Sequence, residues 1–497
     1  MYIGAKTTEL IQNRMNAVDY FFEHTSGLEK PFLAGRETIT YKELHHEVLK
    51  LASWIRKEVG TGKHVMILSV NNLFMIKAYL AIIRSENVCV PLDPRIEKEN
   101  FEYIAGLTKP SMILLTDDIM KRLPVEEYRC VSPSTIPHFG DHHETDFNND
   151  TDSEQCAEII FTSGSTGEPK GVMISHKNLI ANTSSIIEYL ELTSDNRMLV
   201  VLPFYYCYGL SLLHTHLRVG GSIVFNNSFI FLGKVIKDLT EYRCTGFAGI
   251  PSHFQILLRV SDTFKQTSFP DLKYVTQAGG KLATVFIDEF REAHPDIKFI
   301  VMYGQTEATA RLSWLPPEKY TEKKGSIGKG IPGVTLRVVN EKGEKINPGE
   351  TGEITAMGDN VMMGYYHDEE GTGKALRAGY LYTGDLGTID EDDYIYLTAR
   401  SKEIIKVRGK RVSPKEIEAV ILELPGVIDC TIYSIDDEIE GESLKASVVV
   451  RKDHKDILTE EAIKEHCSKH LALYKIPRFY DVKDNMVLSA TGKKTMK

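Results

Sequence analysis

Twelve consecutive residues carry the densest chemistry in the chain: Phe161-Thr162-Ser163-Gly164-Ser165-Thr166-Gly167-Glu168-Pro169-Lys170-Gly171-Val172. Glycines let the backbone turn tightly and point successive N–H groups at an anion. Ser163, Ser165 and Thr166 add hydroxyl donors, and Lys170 adds a compact positive charge suited to phosphate. The combination reads as a loop that wraps a polyphosphate. It is not the Walker P-loop, whose first glycine stands four residues before a Gly-Lys pair followed by Ser or Thr. Here Gly164 and Gly167 are closer together and Lys170 is followed by Gly171. The apolar Ile159-Ile160-Phe161 before the loop reads as a buried strand. Leu179, Ile180, Ile186, Ile187 and Leu190 after it fall on one helical face. The loop is therefore expected to join a strand to a helix.

Six further stretches have the residue types of a nucleotide-dependent site. Pro203-Phe204-Tyr205-Tyr206-Cys207-Tyr208-Gly209, Gln277-Ala278-Gly279-Gly280-Lys281 and Tyr303-Gly304-Gln305-Thr306-Glu307-Ala308 each follow a strand-like run. Ligands of open α/β sheets sit beyond the carboxyl ends of strands, so the three are candidates for one crevice. Thr383-Gly384-Asp385 offers a short acceptor-only carboxylate suited to a vicinal diol. A basic stretch, Arg400 to Arg411, and Ser489-Ala490-Thr491-Gly492-Lys493-Lys494 complete the set.

The elements that must position these residues alternate strand and helix. Strand signals are expected at Thr38–Tyr41, His64–Val70, Val88–Leu92, Ser111–Thr116, Met198–Leu202, Ile223–Phe225, Leu272–Thr276 and Lys298–Met302, with an apolar helix at Leu73–Arg84. That alternation predicts largely parallel sheets covered by helices. The polar, acidic stretch from Val131 to Glu158 reads as a surface connection without chemistry. Glycine-punctuated β signals from Gly325 to Tyr366 suggest a small barrel-like or meandering subdomain. A final α+β domain is expected from about Arg400. There Ser413, Pro414 and Glu416 have the spacing of a capping box ahead of Ile417, Val420, Ile421 and Leu424. A strand at Leu444–Val450 and a helix opening at Thr459 follow.

At 497 residues the chain is long for one core. A hydrophobic share of 42%, a charged share of 26% and a net charge of −10 describe an ordinary globular enzyme and disfavour bulk attraction to nucleic acid. Seven scattered cysteines without Cys-x-x-Cys spacing fit reduced thiols better than a disulfide framework or a zinc site. No apolar run is long enough to span a bilayer and the first residues lack a signal-peptide core, so a cytoplasmic location is expected.

The twelve-residue string closely resembles the phosphate-loop signature of the adenylate-forming superfamily of acyl-CoA synthetases, luciferases and nonribosomal-peptide adenylation domains. The other stretches follow in that superfamily's order. The resemblance implies a large N-terminal domain, residues 1–399, of α/β subdomains plus a small β-rich subdomain. A small mobile α+β C-terminal domain, residues 400–497, would follow, hinged at Lys402. ATP would be bound by Thr162 to Gly167 and Lys170, by Ala278, Gly279 and Gly280, and by Tyr303, Gly304, Gln305 and Thr306. Asp385, Leu397 and Arg400 would complete the nucleotide site. Tyr303 would stack on adenine, Asp385 would bond the ribose hydroxyls, and Arg400 would reach ribose or phosphate. Glu307, with Thr166, would help hold Mg²⁺, which favours few carboxylates plus phosphate oxygens. Lys493 would enter the site for adenylation. Lys406, Arg408, Gly409 and Arg411 would serve the incoming thiol of coenzyme A or of a phosphopantetheinyl carrier protein.

The implied activity is ATP-dependent formation of an acyl-adenylate, followed by transfer to that thiol. The acid would be held by Tyr205, Tyr206, Tyr208, Gly209, Gly280 and Gly304. Amino-acid-activating relatives carry an aspartate in the segment matching Pro203–Gly209, and this chain has none. A buried ammonium would lack a partner, so a fatty, branched or aromatic acid without a free amine is expected. Tyr206 falls where many acyl-activating relatives have histidine, and Ala399 where many have an acid or glycine. Two alternatives remain open: coenzyme A or a carrier protein as acceptor, and, from another class, a nucleotide-binding pseudoenzyme.

Overall fold

The computed structural model describes residues 14–136, 147, 151–163, 168–400, 403–407, 409–437 and 441–484. Two large sheets form the body of the chain. In the first, the parallel strands Lys298–Tyr303, Tyr274–Gln277, Gly246–Gly249, Arg197–Val200, Ser222–Phe225 and Pro31–Leu33 lie side by side in that order. Antiparallel strands close both edges, giving nine strands. In the second, Cys156–Ser163, Val88–Leu92, His64–Leu68, Met112–Leu115 and Cys130–Val131 are parallel, and Pro169–Ser175 and Gly364–Tyr365 add an antiparallel edge. Strands covered on both faces read as unbroken apolar runs. Val65, Met66, Ile67 and Leu68 are accordingly all buried.

Helix starts follow local chemistry where nothing competes. Thr40 and Glu43 form a reciprocal capping box at the start of Tyr41–Val59, and Ser175 with Asn178 does the same for His176–Leu190. The helix Leu73–Arg84 occupies the residues expected from its pattern.

Four expectations need correction. The phosphate-loop string joins two antiparallel strands, Cys156–Ser163 and Pro169–Ser175, paired Thr162↔Lys170 and Ser163↔Pro169. The helix begins only at His176, so it does not start at the loop. The glycine-rich β region is not self-contained within 325–366. Lys329–Gly330 joins the first sheet and Gly364–Tyr365 the second. The remaining strands build a five-stranded antiparallel sheet that runs on through Tyr380–Ile389 and Ile395–Arg400. Ser413 caps Pro414–Leu422 by position, but its hydroxyl bonds the carbonyl of Thr398 at 2.9 Å and makes no cap bond. Glu416 is taken by Lys475 at 2.6 Å. Finally, Glu158 is not on a surface connection: it is a buried residue of the strand Cys156–Ser163.

Residues 405–483 form a fourth sheet of five strands, accompanied by the helices Pro414–Leu422 and Glu460–His470. Arg259, on the helix Pro251–Arg259, reaches across to it. Its guanidinium donates to the carbonyls of Leu422 (2.9 Å), Leu424 (3.3 Å) and Val427, while Glu289 pairs with it at 2.6 Å. No helix among the described residues is long and apolar enough to cross a membrane.

Candidate active site

Parallel strands in register place their carboxyl ends along one edge. Arg197–Val200, Tyr274–Gln277 and Lys298–Tyr303 therefore deliver Pro203–Gly209, Gln277–Lys281 and Tyr303–Ala308 to the same side of the first sheet. Contacts tie these loops together. Cys207 Sγ lies 3.5 Å from Thr306 Oγ1, and the Tyr208 hydroxyl donates to the Thr276 carbonyl at 3.1 Å. Gln277 Nε2 donates to the Gly280 carbonyl at 2.8 Å, and Lys281 Nζ to the Leu397 carbonyl at 2.8 Å. Ala278, Gly279, Gly280 and Leu397 thus belong to one neighbourhood. Gly304 and Gly209 are fixed by close approach. A Cβ at either would lie 2.1 Å from a backbone oxygen, of Ala310 and of Pro203 respectively.

Two polar clusters sit at this edge. In the first, the Tyr303 hydroxyl donates to Asp385 Oδ2 at 2.7 Å and Arg400 Nε to Asp385 Oδ1 at 3.0 Å. Asp385 is only 2% exposed. Burial, with the Asp385 charge beside it, pushes the Tyr303 phenol well above its ordinary range, so it stays a donor. In the second, the Tyr365 hydroxyl donates to Glu307 Oε1 at 2.8 Å, and Lys170 Nζ pairs with Asp368 Oδ2 at 2.6 Å. The same ammonium stands 5.0 Å from the Tyr365 ring centre. The Lys170 hydrogen bond holds the Asp368 carboxyl below the usual range. The backbone fixes this arrangement, since Tyr365 pairs with Val172 and the Met362 N–H donates to the Glu307 carbonyl at 2.9 Å.

The expected acid-binding tyrosines stand at the start of the helix Cys207–Val219, whose cap position is Tyr206. Arg95 donates to the Tyr205 hydroxyl at 3.0 Å and is itself held by Asp93. Tyr205 and Tyr206 pack ring against ring with centres 4.8 Å apart. The segment contains no carboxylate, in keeping with the composition of Pro203–Gly209.

The thiol-side residues stand apart from these clusters. Lys406 and Arg411 face each other across the hairpin Ile405–Val407 and Lys410–Val412, both exposed, with Gly409 in its turn. The Lys406 N–H donates to Glu442 at 2.8 Å. Among the described residues neither cation bonds the Glu307 or the Asp385 cluster. Residues 164–167 and Lys402, Arg408 and Lys493 lie outside the described residues, as does the side chain of Ser163. Of the expected phosphate-loop residues, Thr162 and Lys170 have described side chains, Thr162 Oγ1 lying 3.5 Å from the Lys170 carbonyl and Lys170 pairing with Asp368. Tyr365, Asp368 and Asp93 were not anticipated. Gly364-Tyr365-Tyr366 reads only as β pattern, and nothing local to Asp368 points to Lys170.

Residues 22–366 match the family described as AMP-binding enzyme, and residues 416–493 match the AMP-binding enzyme C-terminal domain. The chain belongs to the AMP-binding enzyme family. An oxalate–CoA ligase of Arabidopsis thaliana is 28% identical over 482 residues, covering 93% of each chain. A 2-succinylbenzoate–CoA ligase of Bacillus pumilus is 30% identical, covering 91% of each. Among solved structures, ATP-bound MatB from Rhodopseudomonas palustris superposes with a TM-score of 0.82 at 25% identity, covering 96% of each chain.

The donor set fits a hard cation. Glu307 commits Oε1 to Tyr365, and no other hydrogen bond to its carboxylate forms among the described residues. One carboxylate oxygen beside a phosphate-suited lysine is the environment Mg²⁺ takes when phosphate oxygens supply the remaining ligands. Bound there, Mg²⁺ would neutralise charge on a polyphosphate. Glu307→Gln is expected to lower turnover by roughly 10²-fold while melting stays near that of the wild type. Pyrophosphate release measured across Mg²⁺ concentrations checks it, and unchanged activity throughout would remove Glu307 from the metal site.

Proposed function

We propose that the protein is an AMP-forming acid–thiol ligase that joins a carboxylic acid to coenzyme A. In the first half-reaction a carboxylate oxygen attacks the α-phosphorus of ATP, the bond to the β-phosphate oxygen breaks, and pyrophosphate leaves. In the second, a thiolate attacks the acyl carbonyl and AMP departs. The observation that carries this reading is the meeting of Lys170, Glu307 and Thr306 with Asp385 and Arg400 at one sheet edge. Cation and carboxylate suit the triphosphate and its metal, and the buried carboxylate suits the ribose diol. Positioning and charge stabilisation then supply the rate.

Coenzyme A is favoured over a carrier protein because both relatives named above are CoA ligases matched along nearly their whole length. The acid lacks a free α-amine and is fatty, branched or aromatic, since the segment Pro203–Gly209 offers hydroxyls and rings and no carboxylate, and the nearby Asp93 is committed to Arg95. Residues 1–399 and 400–497 act as two domains that pivot about Lys402. Lys493 serves the first half-reaction, while Lys406, Arg408, Gly409 and Arg411 serve the second. A cytoplasmic location belongs to the same reading.

The test is a panel of carboxylic acids scored first by pyrophosphate release and then by thioester mass, with coenzyme A or a carrier protein as acceptor. Acid-dependent pyrophosphate and an acyl-CoA product are expected. Nucleotide binding without turnover on any acid would favour the pseudoenzyme.

A further inference from the structure

Three arginines are buried among the described residues: Arg84, Arg259 and Arg311. Arg84 pairs with Asp19 at 2.6 Å and Arg259 with Glu289 at 2.6 Å. Arg311, 2% exposed, has no carboxylate within ion-pairing distance among the described residues. Its Nε reaches Met302 Sδ at 3.3 Å and its Nη1 the Ala310 carbonyl at 3.1 Å. The guanidinium lies 4.0 Å from the ring centre of Tyr208. Neutral acceptors and an aromatic face satisfy its N–H groups in part, but a desolvated charge without a counter-ion is costly.

The position of Arg311 indicates where a counter-ion enters. Tyr208 belongs to the first turn of Cys207–Val219, and its neighbour Cys207 touches Thr306. The ring that Arg311 covers thus stands one residue along the chain from the contact with Thr306. We propose that Arg311 supplies the counter-charge for the carboxylate of the substrate acid, as a positioning residue acting through the Tyr208 wall. This rests on the acid-activating function proposed above. Adenylation converts the carboxylate into a neutral acyl carbonyl. Arg311 therefore favours capture of the anionic acid over its neutral analogues and contributes little to later steps.

The experiment uses the full chain with the best acid of the panel and the primary amide of that acid as competitor. In Arg311→Gln the KM for the acid is expected to rise about tenfold or more with kcat within about threefold, the pattern of lost ground-state binding. Inhibition by the amide should stay unchanged. Arg311→Lys, which keeps the charge and loses the planar fork, should hold KM within about threefold of the wild type. An unchanged acid KM in Arg311→Gln, or equal weakening of acid and amide, overturns the proposal. Where Arg311→Gln does not fold, Arg311→Lys decides: a retained KM supports the charge, and a tenfold rise overturns it. Should the wild type turn over no acid, the acid-activating function and this inference fall together. Turnover that is indifferent to Arg311 removes the inference alone.

Discussion

Wild-type protein is expected to lose about 3 kcal/mol of stability between pH 4.5 and pH 7 at Glu158 alone, a loss that Glu158→Gln abolishes. Glu158 is buried in the strand that leads into the phosphate-loop string. Burial pushes its carboxyl up to about 7 from an ordinary 4.5, opposed only in part by the Tyr79 hydrogen bond. No cation among the described residues pairs with it. Tyr79 donates to Oε2 at 2.9 Å and also lies 2.8 Å from His214 Nε2, on an imidazole that burial lowers to about 3 and keeps neutral. Because the folded pKa lies above the unfolded one, the native state holds its proton more tightly. The stabilisation is fully present below the unfolded pKa, is lost as pH rises through the folded pKa, and is constant above it. Glutamine keeps an oxygen acceptor for Tyr79 and carries no titrating proton. Urea midpoints of the two proteins at pH 5 and pH 8 test the claim. The wild type should fall more than the variant, and parallel curves would show that Glu158 does not titrate in this range.

Arg259→Ala should be comparably severe, by about 3 kcal/mol, the low end for removing one partner of a buried ion pair. The side chain donates to three carbonyls at and just beyond the end of Pro414–Leu422, where helical carbonyls have no intrahelical partner. It also balances Glu289. Alanine leaves all four acceptors facing a void. Around this bond Gln255 reaches Asp429 at 3.4 Å and Arg451 reaches Asp262 at 3.2 Å. Residues 405–483 should therefore melt or be cleaved by protease ahead of the two large sheets. A single transition with the wild-type midpoint would contradict this.

The large-scale architecture was legible because its signals are local. The apolar runs at His64–Leu68 and Val88–Leu92 and the pattern of Leu73–Arg84 needed no distant information. What stayed hidden was settled by partners far along the chain. Pro169–Ser175 is a strand because it pairs with Cys156–Ser163 and Gly364–Tyr365, while its Pro-Lys-Gly opening reads locally as loop. The Ser413 capping box was lost to competition from Thr398 and Lys475. Glu158 was read as exposed because carboxylates usually are. The strings ending in Glu307 and Asp385 were visible, whereas Tyr365 and Asp368 were not. The Lys170–Asp368 bond spans 198 positions, and no spacing rule reaches that far.

The resting crevice is already electrically closed. Lys170 holds Asp368, Tyr365 holds Glu307, and Asp385 holds both Tyr303 and Arg400. On the proposed assignment, nucleotide entry is consequently a partner exchange, and measured affinity is a difference between old bonds and new. A nucleoside can displace only the contacts around Asp385, whereas freeing Lys170 from Asp368 takes the far end of a triphosphate. Parting Lys170 from Asp368 is thus a cost that ATP bears and AMP does not, and any variant that leaves Lys170 without this anion should sharpen the preference for ATP.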